Sequence, residues 1–465
     1  LARVPRRPQP SRRRDGRFER PAVRPVFPWA HVLDPHRWRG DRPTMISSAF
    51  MGFPARSLVL VLLALALSAT GGRAQAPASL VISSDPELRA MAAGLLPDLA
   101  ARAGMELREP VRLESRSRSE LVDYLRTKID EELPSEEATA RRDAYALLGL
   151  LPADLDLRQM LLELYTEQVA GFYEPDSTAL FVMDDQAPEE VHALLMHELV
   201  HAVQDQNVDL EALTDSDRGN DRSSAAQAAI EGQATLVMLE YATEQMTGMS
   251  VDLGQVPDFG AQIRPALQAM NAQFPALARA PRVIRESLLF PYVEGAGFVQ
   301  RLWADGRRLD PFGEALPLST EQILRPMAAP PVEVDVSVSA GEVVLDDVLG
   351  RLELGVLMED VLGVGGGGTG AAGVGGPAEA WDGDRFVLVE AADDRRGLIW
   401  AVVWESVQGR ARFVQAVDGA RAFGGPVAVE LRTVDGRALT LLRIGPPEVV
   451  GVDAVEVTVS LPTMR

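Results

Sequence analysis

The stretch "MHELVHAVQDQ", residues 196–206, decides how the rest of the chain is interpreted. On an α-helix, positions four apart lie on one face, so His197 and His201 can present two imidazole nitrogens to one metal ion. Glu198 follows one step round the helix, where its carboxylate would lie beside the metal and accept a proton from a water molecule. The alternative is an amphipathic helix that contains two histidines by chance, and the rest of the chain has to decide between the two.

The composition restricts the chemistry of any metal site. The chain has 465 residues, 24% charged and 46% hydrophobic, which is ordinary for a globular protein of two or three domains. It contains no cysteine, which excludes disulfides, thiol nucleophiles and cysteine ligands. Of its five histidines, three lie close together, at His192, His197 and His201. A metal is therefore expected to be held by histidine and carboxylate groups.

The first 76 residues have the pattern of leader and export segments. Residues 1–50 begin with Leu, are rich in Arg and Pro and show no apolar periodicity, which predicts an untranslated or disordered leader. Residues 51–76 combine an arginine near the start, the apolar run "LVLVLLALAL" and a small-residue end, "AQA", as in a secretory signal peptide. An uncleaved membrane anchor is the alternative. The protein is thus expected to be extracytoplasmic, either secreted or periplasmic.

The net charge of the chain limits the classes of partner that it is expected to bind. The net charge is −21, although residues 1–76 hold fourteen arginines and four acidic residues, so the remainder is still more acidic. An acidic surface disfavours nucleic acids and anionic membranes. We expect a peptide or protein substrate, no nucleic acid, and no membrane contact beyond an uncleaved signal anchor.

Residues 77–154 are predicted to form an N-terminal helical region. In "SELVDYLRTKIDEEL", residues 119–133, apolar side chains recur at spacings of three and four, and Pro134 ends that helix. The segment "DLRQMLLELYTEQVAGF", residues 156–172, predicts another helix that leads into the next region.

Residues 155–330 are predicted to form a mainly helical domain around the motif. The segment "FYEPDSTALFVMDD", residues 172–185, has two β-prone runs on either side of a Pro-Asp-Ser turn and predicts a hairpin. The motif helix is predicted to begin at Pro188, because proline and the two glutamates after it suit a first helical turn. Further helical segments are predicted over residues 224–246 and 265–303.

Residues 331–465 are predicted to form a C-terminal α+β domain, and the fold class of the whole protein is predicted to be α+β. A Gly-rich loop, residues 363–377, contains a literal GxGxxG, but no strand leads into it and no helix follows, which indicates a flexible loop. The segment "WDGD", residues 381–384, predicts the start of a strand, with a functional turn as the alternative. The predicted strands are "VEVDVSVSAGEVVL", "RFVLVEAA", "LIWAVVWES", "VAVELRTV" and "ALTLLRIG".

A catalytic zinc site takes three protein ligands and keeps a fourth position for water or substrate. No histidine or cysteine follows the motif, so the third ligand must be a carboxylate, with Glu231 and Glu294 as candidates on helical segments. Glu231 is favoured because its small neighbours would let its helix approach the motif helix, and a carboxylate on an apolar face needs a partner. A solvent-facing or capping glutamate is the alternative. We therefore predict Zn²⁺ held by His197, His201 and Glu231, with Glu198 as the catalytic residue.

Other polar residues near the motif are weaker candidates for a role in the site. His192 lies five residues before His197, about 140° round the helix, and should face away from the site. Gln204 and Asp205 can hydrogen-bond a ligand's other ring nitrogen, although exposed polar positions are the commoner explanation. Three tyrosines are candidates for stabilising an oxyanion, with plain packing as the commoner role: Tyr173, Tyr241 and Tyr292.

The motif and the helix that follows it resemble the gluzincin metallopeptidases, the thermolysin-like group that binds zinc with two histidines and a glutamate. The blocks "LYTEQVAGFYEPDSTALFV", "HELVHAVQDQNVDL", "AAIEGQATLVMLEY" and "FPYVEGAGFVQRL" look like a little-characterised family of exported bacterial HExxH proteins. The resemblance covers residues 155–330 well and implies a zincin-like fold. It also implies that the strand at residues 180–183 is the edge strand that pairs with an extended peptide.

Together these observations predict an exported zinc metallopeptidase that hydrolyses peptide bonds. Glu198 would accept a proton from water as it attacks a polarised carbonyl and pass it to the leaving amine. The alternative is an exported non-catalytic binding or scaffold protein that retains a zincin-like fold.

Overall fold

The computed structural model describes residues 80–462 except for 216–217, 257–261, 263, 265–273, 305, 326, 340, 365–376, 421 and 452–454. The predicted leader and signal peptide, and most of the Gly-rich loop, lie outside the described residues. Helices and strands occur in both halves of the chain, so the α+β fold class is confirmed.

Helices dominate the described residues up to 330, and four short strands are interspersed. The helices are α1 (Pro86–Ala103), α2 (Arg118–Glu132), α3 (Ser135–Leu147), α4 (Leu157–Gln168), α5 (Pro188–Asp205), α6 (Leu210–Thr214), α7 (Asn220–Thr247), α8 (Pro275–Arg279), α9 (Arg282–Trp303) and α10 (Thr320–Leu324). The strands are β1 (Val81–Ile82), β2 (Val111–Arg116), β3 (Gly171–Glu174) and β4 (Ala179–Met183).

Strands dominate the described residues after 330, as the sequence predicts. The strands are β5 (Glu333–Val338), β6 (Glu342–Asp347), β7 (Trp381–Glu390), β8 (Arg396–Trp404), β9 (Val427–Val434), β10 (Arg437–Ile444) and β11 (Val455–Ser460). The helices between them are α11 (Gly350–Asp360), α12 (Val407–Gly419) and α13 (Pro447–Val450). The "WDGD" segment begins β7, which confirms its prediction as the start of a strand.

The first sheet lies beside the motif helix and has the strand order β1-β2-β4-β3. The predicted hairpin is confirmed, because β3 and β4 pair antiparallel across a turn closed from Thr178 N–H to Pro175 O. Strand β2 pairs parallel with the other side of β4. The sequence did not predict β2, which lies in the region interpreted as helical.

The expectation that residues 180–183 form the edge strand is wrong. Strand β4 is hydrogen-bonded on both sides, to β2 and to β3, so its backbone has no edge left for a peptide. The strand at the edge next to the motif helix is β3. The error arose because a hairpin alone does not reveal which of its strands meets a third, and here that third strand comes from residues 111–116.

Two helices, α5 and α7, form the centre of the first half of the molecule. Helix α5 begins at Pro188, as predicted, and every residue from Ala193 to Gln204 is buried. Helix α7 is likewise buried on all sides from Ser223 to Ala242. A helix buried all round belongs in a protein core, so the simple amphipathic interpretation of the motif helix does not hold.

The buried apolar side chains of the two halves form one continuous cluster. It runs from Val81 through α1, α5, α7 and α9 to α11 and one face of the second sheet, ending at Ile444. That sheet has the order β6-β7-β8-β10-β9, and its other face packs against the β5–β11 pair. The boundary at residue 331 stays a prediction. None of the helices in the described residues is long and apolar enough to cross a membrane.

Candidate metal centre

The site is built from one turn of α5 and the middle of α7. Helix α5 supplies His197, Glu198 and His201, and α7, which packs against it, supplies Glu231. All four side chains are completely buried, with 0% exposure. Polar groups in such an environment need hydrogen-bond or metal partners.

The ligand atoms of the two histidines and Glu231 meet at one point. The two Nε2 atoms are 3.0 Å apart, and Glu231 Oε2 lies 3.1 Å from Nε2 of His197 and 3.3 Å from Nε2 of His201. These three residues are the one group in the described part of the chain whose ligand atoms are arranged to hold a metal. The structure thus brings together the three residues that the sequence selected.

The triangle has the size that a tetrahedral zinc site requires. Ligands about 2.0 to 2.1 Å from zinc in a tetrahedron are separated from one another by about 3.3 Å. The observed separations of 3.0 to 3.3 Å match one face of such a tetrahedron. In addition, Glu231 Oε1 is buried and has no hydrogen-bond partner among the described residues. The donor set and the unpartnered carboxylate oxygen therefore fit a zinc ion.

Burial and neighbouring groups shift the pKa values of His197 and Glu231. Burial lowers the pKa of His197 to about 4, so its imidazole is neutral at pH 7. Burial opposes ionisation of Glu231, but its interactions with His201 and His197 outweigh that effect and lower the pKa of Glu231 to about 2. Neutral imidazoles and an ionised carboxylate are the ligand forms that bind a metal.

A glutamine side chain contacts the second ring nitrogen of His201, Nδ1. Gln204 Oε1 lies 2.7 Å from Nδ1 of His201, and Gln204 is completely buried. The sequence favoured an exposed position for Gln204, and that expectation is wrong, because this turn of α5 faces α7 rather than solvent. Asp205 accepts a hydrogen bond from the Tyr173 hydroxyl at 2.7 Å.

Glu198 is not a member of the triangle and bonds the first sheet. Its Oε2 accepts a hydrogen bond from the backbone N–H of Tyr173 in β3 at 2.9 Å. That N–H belongs to the edge strand, so its bond to Glu198 fixes the motif helix to the sheet. The sequence did not reveal this contact, because a backbone donor leaves no mark in the residue pattern.

The competing carboxylate, Glu294, has a different partner. Glu294 lies on α9 and forms an ion pair with Arg264, and it is not a member of the His197, His201 and Glu231 group. His192 is also outside this group, as its position on the helix predicts. The structure therefore separates the two candidates that the sequence left open.

The three candidate tyrosines occupy different surroundings. The ring of Tyr292 packs beside His197, with centroids 6.3 Å apart and planes tilted by 39°. Tyr173 bonds Asp205, as above, and the ring of Tyr241 lies under the Arg102 guanidinium at 5.7 Å. Tyr292 is thus placed against a predicted metal ligand.

No protein-family model, curated protein or solved structure matches this chain. The gluzincin resemblance accordingly stays a prediction from the sequence blocks. Function has to be inferred from the geometry of the site.

Proposed function

We propose that this protein is an exported zinc-dependent metallopeptidase with a zincin-like fold. The observation that supports the proposal is the buried triangle of two imidazole nitrogens and a Glu231 oxygen, with sides of 3.0 to 3.3 Å. Glu198, the residue after His197, is held by a separate hydrogen bond from the backbone of β3. Two histidines, one carboxylate and an adjacent glutamate are the groups that zinc-dependent hydrolysis of an amide uses.

His197, His201 and Glu231 would hold the ion. A bound zinc supplies a Lewis acid that polarises a substrate carbonyl and makes water more acidic. The burial of these three ligands excludes bulk water, which strengthens the electrostatic interactions inside the site.

Glu198 would act as the general base and then as the general acid. It would accept a proton from the attacking water and deliver it to the amine that leaves when the peptide bond breaks. The Tyr173 N–H fixes one carboxylate oxygen, so the orientation of the base is set by β3.

A non-catalytic binding or scaffold protein is the second candidate. Its support is the complete burial of His197, Glu198, His201 and Glu231, since a buried metal site needs no substrate path. Under this proposal zinc would stabilise the junction of α5 and α7 without turnover.

Export is proposed from the signal-peptide pattern of residues 51–76. Fractionation of producing cells, followed by N-terminal sequencing of the mature protein, tests it. A mature protein that starts shortly after residue 76 supports export, and one that stays in the cytoplasm with its leader intact contradicts it.

The metal content of the purified protein tests the central proposal. Elemental mass spectrometry should find about one zinc per chain in the wild type and in Glu294→Gln, and a strong loss of zinc in Glu231→Gln. Glu294→Gln is the matched control, because it makes the same change on the neighbouring helix. No zinc in the wild type, even after loading, would contradict both candidates.

Cleavage of a peptide library then separates the two candidates. The peptidase proposal expects products from the zinc-loaded wild type and a loss of at least about 100-fold in Glu198→Gln, which still binds zinc. A zinc-loaded wild type that cleaves nothing supports the binding or scaffold protein.

A further inference from the structure

Two buried glutamines connect the site to a backbone carbonyl at the end of α1. Gln204 Oε1 faces Nδ1 of His201 at 2.7 Å, and Gln204 Nε2 lies 2.9 Å from Gln233 Oε1. Gln233 Nε2 donates in turn to Ala103 O at 3.2 Å. Gln233 lies on α7 two residues after Glu231 and is only 1% exposed.

In this series of hydrogen bonds from Ala103 to His201, each group can act only as donor or only as acceptor. A backbone carbonyl only accepts, so Ala103 O requires the NH₂ group of Gln233 on its side. Gln233 then presents its oxygen to Gln204, which must donate. Gln204 also donates to Ile230 O at 3.0 Å, so both of its N–H groups are committed to acceptors. The oxygen of Gln204 is therefore the atom that faces His201.

The direction of the chain decides the tautomer of the histidine. An amide oxygen can only accept, so Nδ1 of His201 carries the proton and donates it to Gln204. In the neutral imidazole Nε2 then has a lone pair, and this atom faces Glu231 and His197. A flipped Gln204 amide would place its oxygen against two other oxygens, so the alternative orientation is disfavoured.

We propose that Gln204 and Gln233 are positioning residues that hold His201 as the Nδ1–H tautomer, with its Nε2 lone pair directed at the metal. This proposal depends on the proposed zinc site for its purpose, but the tautomer itself can be measured without metal. Because Gln204 is also bonded to Ile230 O, next to Glu231, the same contacts fix the spacing between the two helices that supply the ligands.

The first measurement is the tautomer of His201 in the metal-free full-length protein. Long-range ¹H–¹⁵N correlation spectra of histidine-labelled protein should show Nδ1–H in the wild type, with His201→Gln used for assignment. Gln204→Met, which has no acceptor, should give a mixture of tautomers.

The second measurement is zinc affinity by competition with a chromophoric chelator. Gln204→Met should bind zinc about 10- to 100-fold more weakly, the usual effect of losing a ligand's outer partner. Gln233→Met should weaken binding less, because Gln204 still has Ile230 O. The matched control is Gln300→Met, which should leave the affinity unchanged. It replaces a buried glutamine of α9 that donates a hydrogen bond to Gly254 O.

The outcomes separate this inference from the proposed function. An unchanged tautomer together with unchanged zinc affinity in Gln204→Met would overturn the positioning role. A wild type that binds no zinc, yet loses its Nδ1–H tautomer in Gln204→Met, would support the positioning of His201 while contradicting the zinc peptidase.

Discussion

Gly232 of α7 and Gly295 of α9 lie in direct backbone contact. A Cβ atom added to Gly232 would lie 2.2 Å from the carbonyl carbon of Gly295, and one added to Gly295 would lie 2.1 Å from Ala228 O. Glu231 and Glu294 each immediately precede one of these glycines. The close crossing of the two helices therefore sets where both candidate carboxylates lie.

Gly295→Ala should destabilise the protein and disturb the metal site. The new methyl group meets backbone atoms, which cannot rotate away, so the helices must separate at a cost of about 1 to 3 kcal/mol or more. Urea unfolding should show the loss of stability, and zinc content should fall because Glu231 moves. Gly419→Ala is the control, since nothing lies within 4 Å of its added Cβ. Equal stability of the two variants would contradict the close crossing.

Removal of zinc should lower thermal stability. A ligand that binds only the folded chain stabilises it by about 2.7 kcal/mol at a free concentration 100 times its Kd. Differential scanning calorimetry with and without a chelator should show a lower Tm for the wild type and for Glu294→Gln. Glu231→Gln should unfold at the same temperature in both conditions. If the Tm of the wild type is the same with and without the chelator, the protein does not hold a tightly bound ion.

Arg141→Ala should destabilise the protein strongly. The guanidinium of Arg141 on α3 bonds Asp347 on β6 at 3.0 Å, and both side chains are completely buried. Removing one partner leaves a buried charge without its counter-charge, which costs about 3 to 5 kcal/mol. The neighbouring Arg142→Ala, which removes a partly exposed pair with Asp143, should cost less than about 1 kcal/mol. Chemical denaturation of both variants provides the comparison, and similar losses would be inconsistent with this expectation.

The free energy of unfolding should fall as the pH rises from about 6.5 to 8. Burial raises the pKa of Glu353 from 4.5 to about 8 and that of Asp221 to about 7. In this range the folded chain still holds protons that the unfolded chain has already released, so rising pH favours unfolding. Each pKa unit of difference between the two states corresponds to about 1.4 kcal/mol.

Glu353→Gln should make that pH profile flatter. The amide cannot ionise, and it can still accept the hydrogen bond that the Tyr145 hydroxyl donates to Glu353. Denaturation curves at several pH values provide the measurement, with the exposed Glu342→Gln as the control that keeps the wild-type slope. A variant profile as steep as that of the wild type would exclude Glu353 as a source of the pH dependence.

Elements governed by local patterns were predicted well. The motif helix starts at Pro188, the hairpin turns after Glu174, and β9 covers the predicted "VAVELRTV". Helix starts, turns and alternating strands depend on residues close together in the chain, so their signals survive in a single sequence. The spacing of His197 and His201 belongs to the same class, because one turn of helix brings them together.

Features that join distant segments were decided only by the tertiary structure. The sequence favoured Glu231 over Glu294, although both lie among small residues. The crossing of α7 and α9 places Glu231 at the histidines and Glu294 beside Arg264. The central position of β4 depends on β2, about 65 residues earlier in the chain. The orientation of His201 depends on a carbonyl in α1. The sequence determined which local elements form and where the histidine pair lies. The tertiary structure decided which elements and side chains contact one another, because contacts between remote segments produce no periodic pattern in a single sequence.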